Sequence, residues 1–234
     1  DLQYFVTSEN YYDFEYNYKL DGRSIVAQEL NLTTAQKQQL LNELNSSLTS
    51  NERFYTYKFI DKNCTTMVVD KINKILGEEI LKQPKSEQSY REILYPYMSD
   101  FYMKLGIQII FGTKVDLPAT RLFLPLEFEK VLNTATQNGK KIAKPSEILN
   151  EETITKPFSY INSIYSLLAA VIILILINKK GIQITYFIFA GLLGLFFSFV
   201  GFYSLHEEIL WNYNILLFNP LLLMFAFFYW KSNT

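Results

Sequence analysis

The chain has 234 residues, enough for one or two domains, and a net charge of −1, so nothing in its charge argues for a nucleic-acid partner. A single cysteine, Cys64, excludes an internal disulfide framework and a multi-cysteine metal site. A single histidine, His206, leaves no histidine-based metal site either, so neither cofactor nor metal is expected. Nearly all charged residues precede Phe158 and nearly all long apolar runs follow it.

Leu2–Thr7 reads as a short strand, and Glu9–Leu20, dense in Tyr and Phe, as a helix ended by Asp21 and Gly22. Ser24–Leu32 alternates around Ile25, Ala27 and Leu30, as a strand does. Thr33 and Gln36 form a capping-box pattern ahead of Leu40, Leu41, Leu44 and Leu48 on one helical face. Ser46–Glu52 reads as loop. Tyr55, Tyr57 and Phe59 then alternate with Thr56, Lys58 and Ile60, which predicts a strand or extended entry to the cysteine. Asn63 reads as an N-cap and Cys64 as part of the first helical turn. Val68, Val69, Ile72, Ile75 and Leu76 follow at helical spacing, with Gly77 as the stop. Val68, Ile72 and Ile75 are expected to face a core.

Lys82–Ser86, with Pro84, reads as a linker. Tyr90–Met103 is spaced like a helix interrupted by Pro96, and Leu105–Phe111 like a strand or buried turn. Leu122–Leu126 leads into a helix through Phe128, Val131 and Leu132 that fades at Asn138 and Gly139. Together, residues 1–144 are expected to form the soluble domain and 145–157 a polar linker. The membrane part, 158–234, has at least three helices, at about 158–177, 182–203 and 215–230. About 20 apolar residues at 1.5 Å rise span roughly 30 Å, one hydrocarbon core.

The short basic loop Asn178–Gly181 belongs in the cytoplasm by the positive-inside rule. Cys64 and His206 therefore share the extracytoplasmic side of a multi-pass membrane protein. Tyr160, Tyr165, Tyr203, Trp211, Tyr229 and Trp230 fall near the interfaces. Asp1 opens with no signal peptide, which for a protein with an external domain suggests a fragment or processed chain.

Two readings of Cys64 stand side by side. Cysteine is among the most buried residue types, so a small core thiol at a helix start is one. The other is a nucleophile, because a helix N-terminus favours thiolate and offers N–H groups to an oxyanion. Asp61, Asn63 and Thr65 would be its neighbours. His206 is read as a membrane-interface residue, a structural residue or a replacement base. Asn212, Asn214 and Asn219 are expected to hydrogen-bond within the helical bundle.

The pattern Tyr55-x-Tyr57-x-Phe59 with Asn63, Cys64, Thr65 and Thr66 resembles the extracytoplasmic domain of the lipoprotein intramolecular transacylase family Lnb. Leu30–Thr33, Arg91, Tyr95, Tyr97, Gly112, Asp116, Pro118–Thr120 and Phe123–Pro125 match the same family in order. His206, Asn212, Asn214, Asn219 and Pro220 are similar to its membrane part, as in Bacteroidota-type proteins. The resemblance implies an α+β, permuted papain-like fold similar to NlpC-type thiol hydrolases, incomplete at its start, followed by an all-α transmembrane domain. It implies a cysteine–histidine pair in which the cysteine is Cys64 and the histidine lies in a Gly-His segment upstream of Asp1, so this chain alone is expected to be inactive. Where the family often has Asp before the Asn, this chain has Lys62, with Asp61 one place away. Where it often has Arg after the Thr pair, this chain has Met67.

The implied activity is extracytoplasmic acyl transfer within a lipoprotein's lipidated N-terminus, with membrane lipids and those N-termini as partners. The alternatives are a cysteine amidase or peptidase of the cell envelope, and a catalytically degenerate membrane module for binding or assembly, which Lys62 and Met67 favour slightly.

Overall fold

A computed structural model describes residues 2–85, 87–151 and 158–232. Of the expected connectors, Ser86 and positions 152–157 lie outside the described residues. Two compact units result: Asp1–Ser86 with Ala119–Lys156, and Glu87–Pro118 with Pro157–Thr234. The stretch Glu87–Pro118, assigned from the sequence to a soluble domain 1–144, thus clusters with the apolar helices.

The first unit mixes helices with short strands. Strand β1 (Gln3–Phe5) leads to helix α1 (Tyr11–Leu20), whose Asn10 side chain accepts from the Tyr12 N–H. Strand β2 (Ile25–Ala27) and helix α2 (Thr34–Thr49) follow, with the expected capping box between Thr33 and Gln36. The loop expected at Ser46–Glu52 is instead the last helical turn plus a 3₁₀ turn at Asn51–Arg53. Ser47 and Thr49 donate their hydroxyls to the carbonyls of Glu43 and Asn45, one turn back in the helix.

Strand β3 (Phe54–Thr56) pairs antiparallel with β1, Tyr4 opposite Tyr55. Helix α3 spans Cys64–Leu76 and stops at Gly77, whose φ of 74° is the left-handed conformation a glycine cap supplies. Helices α4 (Tyr90–Leu94) and α5 (Phe101–Ile110) belong to the second unit.

Back in the first unit, helix α6 (Pro125–Thr134) opens on a proline, whose missing N–H is harmless there. A hairpin of β4 (Thr136–Gln137) and β5 (Lys140–Lys141) turns on Asn138 and Gly139, both at positive φ. The Asn-Gly pair is the strongest short hairpin signal, and it explains why helical spacing fades there. Strand β6 (Glu147–Asn150) pairs antiparallel with β2, so the stretch expected to be a linker from 145 onward contains a strand.

The core of this unit packs Val69, Ile72 and Leu76 of α3 against Leu81, Leu122, Leu132, Ile142 and Ala143. Val68, expected to face inward, is 47% exposed. It lies four residues beyond Cys64, so both sit on one stripe of the helix and reach solvent together.

In the second unit, Leu105–Phe111 is not a strand, because α5 carries most of it, Gly106 included, as helix. Helix α7 (Ile164–Ile177) has 14 residues, so the run expected from 158 is helical only from Ile164. Helix α8 (Lys180–Phe199) continues through a 3₁₀ turn to give Lys180–Phe202, 23 residues, long and apolar enough to cross a membrane. Helix α9 (Leu221–Lys231) and the turns at Glu207–Leu216 form a bent pair that makes a second span if counted as one. Helices α8 and α9 meet at glycines: a Cβ on Gly194 would lie 2.0 Å from the Phe218 carbonyl oxygen, and one on Gly191 2.7 Å from Leu223 Cγ. Small residues of this kind let apolar helices approach closely where water supplies no driving force.

Candidate functional site

The approach to Cys64 is a turn rather than a continued strand. Lys58 and Lys62 exchange backbone hydrogen bonds of 3.0 and 3.1 Å, closing a loop over Phe59, Ile60 and Asp61. Ile60 is fully buried and pins the loop, and the Phe59 ring meets Phe123 edge-on at 5.9 Å. Asn63 then fixes the start of α3 with every polar atom it has. Its Oδ1 accepts from the Thr66 N–H at 2.9 Å, and its own N–H donates to Thr66 Oγ1 at 2.9 Å. Its Nδ2 donates to the carbonyls of Phe59 (2.7 Å) and Phe123 (2.8 Å). The Phe123–Pro125 loop is therefore tied directly to the residue before the cysteine, 60 positions away.

Asn63, Thr65 and Thr66 are buried, whereas Cys64 between them is exposed. This removes the reading of Cys64 as a core thiol. Helix geometry leaves the first-turn N–H groups without an intrahelical acceptor; Asn63 takes that of Thr66, and those of Cys64 and Thr65 point out of the helix end beside the thiol.

Tyr55 lies in β3, ahead of the turn that leads to Cys64. It is buried, but it also lies within electrostatic range of Cys64: burial, then the charge of the cysteine and of Tyr4, pushes its phenol above the ordinary value. It therefore stays a neutral hydroxyl at physiological pH. Tyr4 stacks on Tyr57 at 4.6 Å and tilts toward Tyr55 at 6.1 Å, and Lys62 places its ammonium 5.8 Å from the Tyr55 ring. The strand alternation that put Tyr55 and Tyr57 on one face was the available signal for this cluster.

His206 belongs to the other unit. Its Nδ1 lies 3.4 Å from Glu208 Oε1, a carboxylate almost wholly buried, and its backbone N–H donates to Ser204 Oγ. The same unit holds Arg91, Gly112, Asp116, Asn212, Asn214 and Asn219 among the residues that carried the family resemblance. Arg91 donates to both oxygens of Asp116, to Gln108 Oε1 and to the carbonyls of Phe111 and Gly112. Asn212 Nδ2 donates to the carbonyls of Ile109 and Ile110, and Asn214 Nδ2 to those of Gln108 and Ile109. The two asparagines thus close the C-terminal end of α5, and Asn219 accepts from the Leu221 N–H at the start of α9. These hydrogen bonds stay inside the unit, as costly polar groups among apolar helices require.

Asp61 sits in the turn before Cys64, so Asp61, Asn63, Cys64 and Thr65 are contiguous in one place, and His206 is in the other unit. Among the described residues, no group of three His, Cys, Asp or Glu side chains is arranged to hold a metal ion.

The Lnb N-terminal periplasmic domain model matches residues 1–95, and the Lnb transmembrane domain model matches residues 149–234. No curated protein and no solved structure matches the chain.

Proposed function

Because the chain belongs to the Lnb-type family, membrane proteins with an extracytoplasmic N-terminal domain, we propose that it is a thiol acyltransferase acting on the lipidated N-terminus of lipoproteins. The observation that carries this reading is the exposure of Cys64 at the start of α3 among three buried neighbours, Asn63, Thr65 and Thr66, of which Asn63 and Thr66 are locked together by hydrogen bonds.

The Cys64 sulfur, as thiolate, attacks the carbonyl carbon of an ester on the lipid's glycerol. The tetrahedral oxyanion lies where the first-turn N–H groups of α3 converge. The C–O bond breaks, the glycerol oxygen takes a proton, and an acyl-thioester remains on Cys64. The free α-amine of the lipidated cysteine then attacks the thioester, loses a proton and becomes an amide, while Cys64 leaves as thiolate. Tyr55, kept neutral by burial, lies within electrostatic range of Cys64. The unit that carries Cys64 contains no histidine, so the thiol's proton acceptor in the family scheme comes from outside these residues.

The exposed Val68, one turn along from Cys64, gives the thiol an apolar neighbour suited to an acyl chain. A multi-pass placement in the bacterial inner membrane, with the Lys179–Lys180 loop in the cytoplasm, completes the reading. A permuted papain-like arrangement of the first unit belongs to the same proposal.

The test is an acyl-shift assay on a diacylated lipoprotein with the protein in its membrane. The full-length protein, with the upstream Gly-His segment that the family resemblance implies, should yield the N-acyl, lyso form, and residues 1–234 alone should yield little or none. Cys64→Ala in the full-length protein should lose it by at least about a hundredfold. Unchanged turnover in Cys64→Ala would remove thiol catalysis. Turnover of a cell-wall peptide in place of the lipoprotein would favour the amidase reading.

A further inference from the structure

Helix α8 ends beside a cavity of about 760 Å³, within the range of ligand pockets. Its walls include Phe197, Phe202, Leu210 and Ile215, and all its lining residues belong to the second unit. The polar side chains in the wall are largely committed elsewhere. Ser198 donates its hydroxyl to the Gly194 carbonyl, and the Asn212 amide is spent on Ile109, Ile110 and the Asn214 N–H. A ligand that needs hydrogen bonds finds little inside; an alkyl chain needs none.

A second, independent observation concerns the rim. Trp211 has φ of 52°, the left-handed conformation that a bulky L-residue adopts only under constraint. The constraint is visible on both sides. The Leu210 carbonyl oxygen packs so closely on Gly112 that a Cβ there would lie 1.7 Å from it, and Asn212 is tied to the end of α5. The strained backbone holds the indole at the mouth of the cavity, 83% exposed, next to Tyr213, 75% exposed. Amphipathic rings in such positions seek the membrane–water boundary, where a lipid's ester groups lie. Backbone strain kept in place by its surroundings is characteristic of ligand clamps.

We propose that this cavity is a binding site for one fatty acyl chain, with Trp211 and Tyr213 at the level of the chain's ester. The inference rests on the membrane assignment of this unit and is independent of the thiol chemistry at Cys64. The chain has two sources of identical chemistry, a bulk phospholipid or a diacylglyceryl lipopeptide.

The test uses the protein in nanodiscs doped with either a phosphatidyl lipid or a diacylglyceryl lipopeptide, each carrying a diazirine on one acyl chain. After photolysis, adducts are mapped by mass spectrometry. Label should concentrate on residues 197–202 and 210–215, about tenfold above the exposed face of α7. Ser198→Phe and Gly201→Leu fill the cavity from different positions, and a Cβ on Gly201 meets only the movable end of Leu210, at 3.2 Å. Each variant that retains the wild-type melting temperature should lose the label about tenfold, while Cys64→Ala should keep it. Label from both probes assigns the site to acyl chains as such; label from the lipopeptide alone makes it a substrate site. Label no higher than on α7, or wild-type labelling in a folded cavity-filled variant, would overturn the proposal. Should Ser198→Phe not fold, Gly201→Leu decides.

Discussion

Asparagine does opposite work at two helix ends in this molecule. At the start of α3, Asn63 takes one N–H of the first turn and leaves the next-door thiol exposed, with N–H groups aimed past it. At the end of α5, Asn212 and Asn214 donate to the carbonyls of three successive residues and close the terminus. One cap leaves a helix end open beside an exposed thiol; the other closes a helix end. Residues that carry the family resemblance thus divide between an open helix end, in the first unit, and a closed one, in the second.

The largest effect expected from breaking this contrast is on the scaffold side. Gly112→Ala would drive a methyl group into the Leu210 carbonyl and endanger the 2.8 Å hydrogen bond from the Gly112 N–H to the Glu208 carbonyl. The expected destabilisation is about 3 kcal/mol or more. Hydrogen exchange should accelerate over α5 and residues 207–214. Unchanged protection there would mean the close approach is not structural.

Asn63→Ala comes next. It removes an N-cap, about 1 kcal/mol, and leaves the carbonyls of Phe59 and Phe123 without their amide donor, about another 1–3 kcal/mol. Exchange should accelerate at the first turn of α3, and the rate of Cys64 with a maleimide should change with it. Asn63→Asp keeps the cap and should cost less. Equal behaviour of the two variants would show that the amide bonds to Phe59 and Phe123 contribute nothing.

The smallest effect is a pH dependence at a third cap. The Ser89 N–H and hydroxyl, in that order, hold the Glu92 carboxyl below its ordinary value. Because the folded pKa is depressed, its contribution is complete above the unfolded value of about 4.3 and is lost as pH falls through the folded value. Glu92→Gln keeps the box without the titration. The stability difference between wild type and Glu92→Gln should therefore shrink below about pH 4; a constant difference would separate the cap from the charge.

Local signals in the sequence located the start and stop of α3 well. The Asn63 cap, the Gly77 stop and the spacing of Val69, Ile72 and Leu76 were all legible, because each is a matter of near neighbours on one helix. Long-range ties were not. Nothing in the sequence places Phe123 against Asn63, or assigns Glu87–Pro118 to the apolar helices. Helix α5 shows why. Its run of Leu, Ile and Phe around a glycine fits a strand as well as a helix, and the side chains that settle the matter are Asn212 and Asn214, about a hundred residues later. The short α7 has the same origin. Asn162 spends its side chain on Asp100 and the Tyr102 N–H, and Ser163 returns its hydroxyl to Tyr160, so the apolar run beginning at Phe158 turns before it can become helix.

The central claim, that the exposed end of α3 presents a nucleophile, is tested most directly by trapping the intermediate. The full-length protein, with the upstream Gly-His segment that the family resemblance implies, is incubated in its membrane with a diacylated lipopeptide whose α-amine is blocked, so that transfer stops after the first step, and the Cys64 peptide is weighed. The account predicts one acyl mass on Cys64, released by hydroxylamine as a thioester must be, and absent from Cys64→Ala. Lipopeptide deacylation that proceeds in Cys64→Ala, with no acyl mass on the wild-type cysteine at any time, would contradict it.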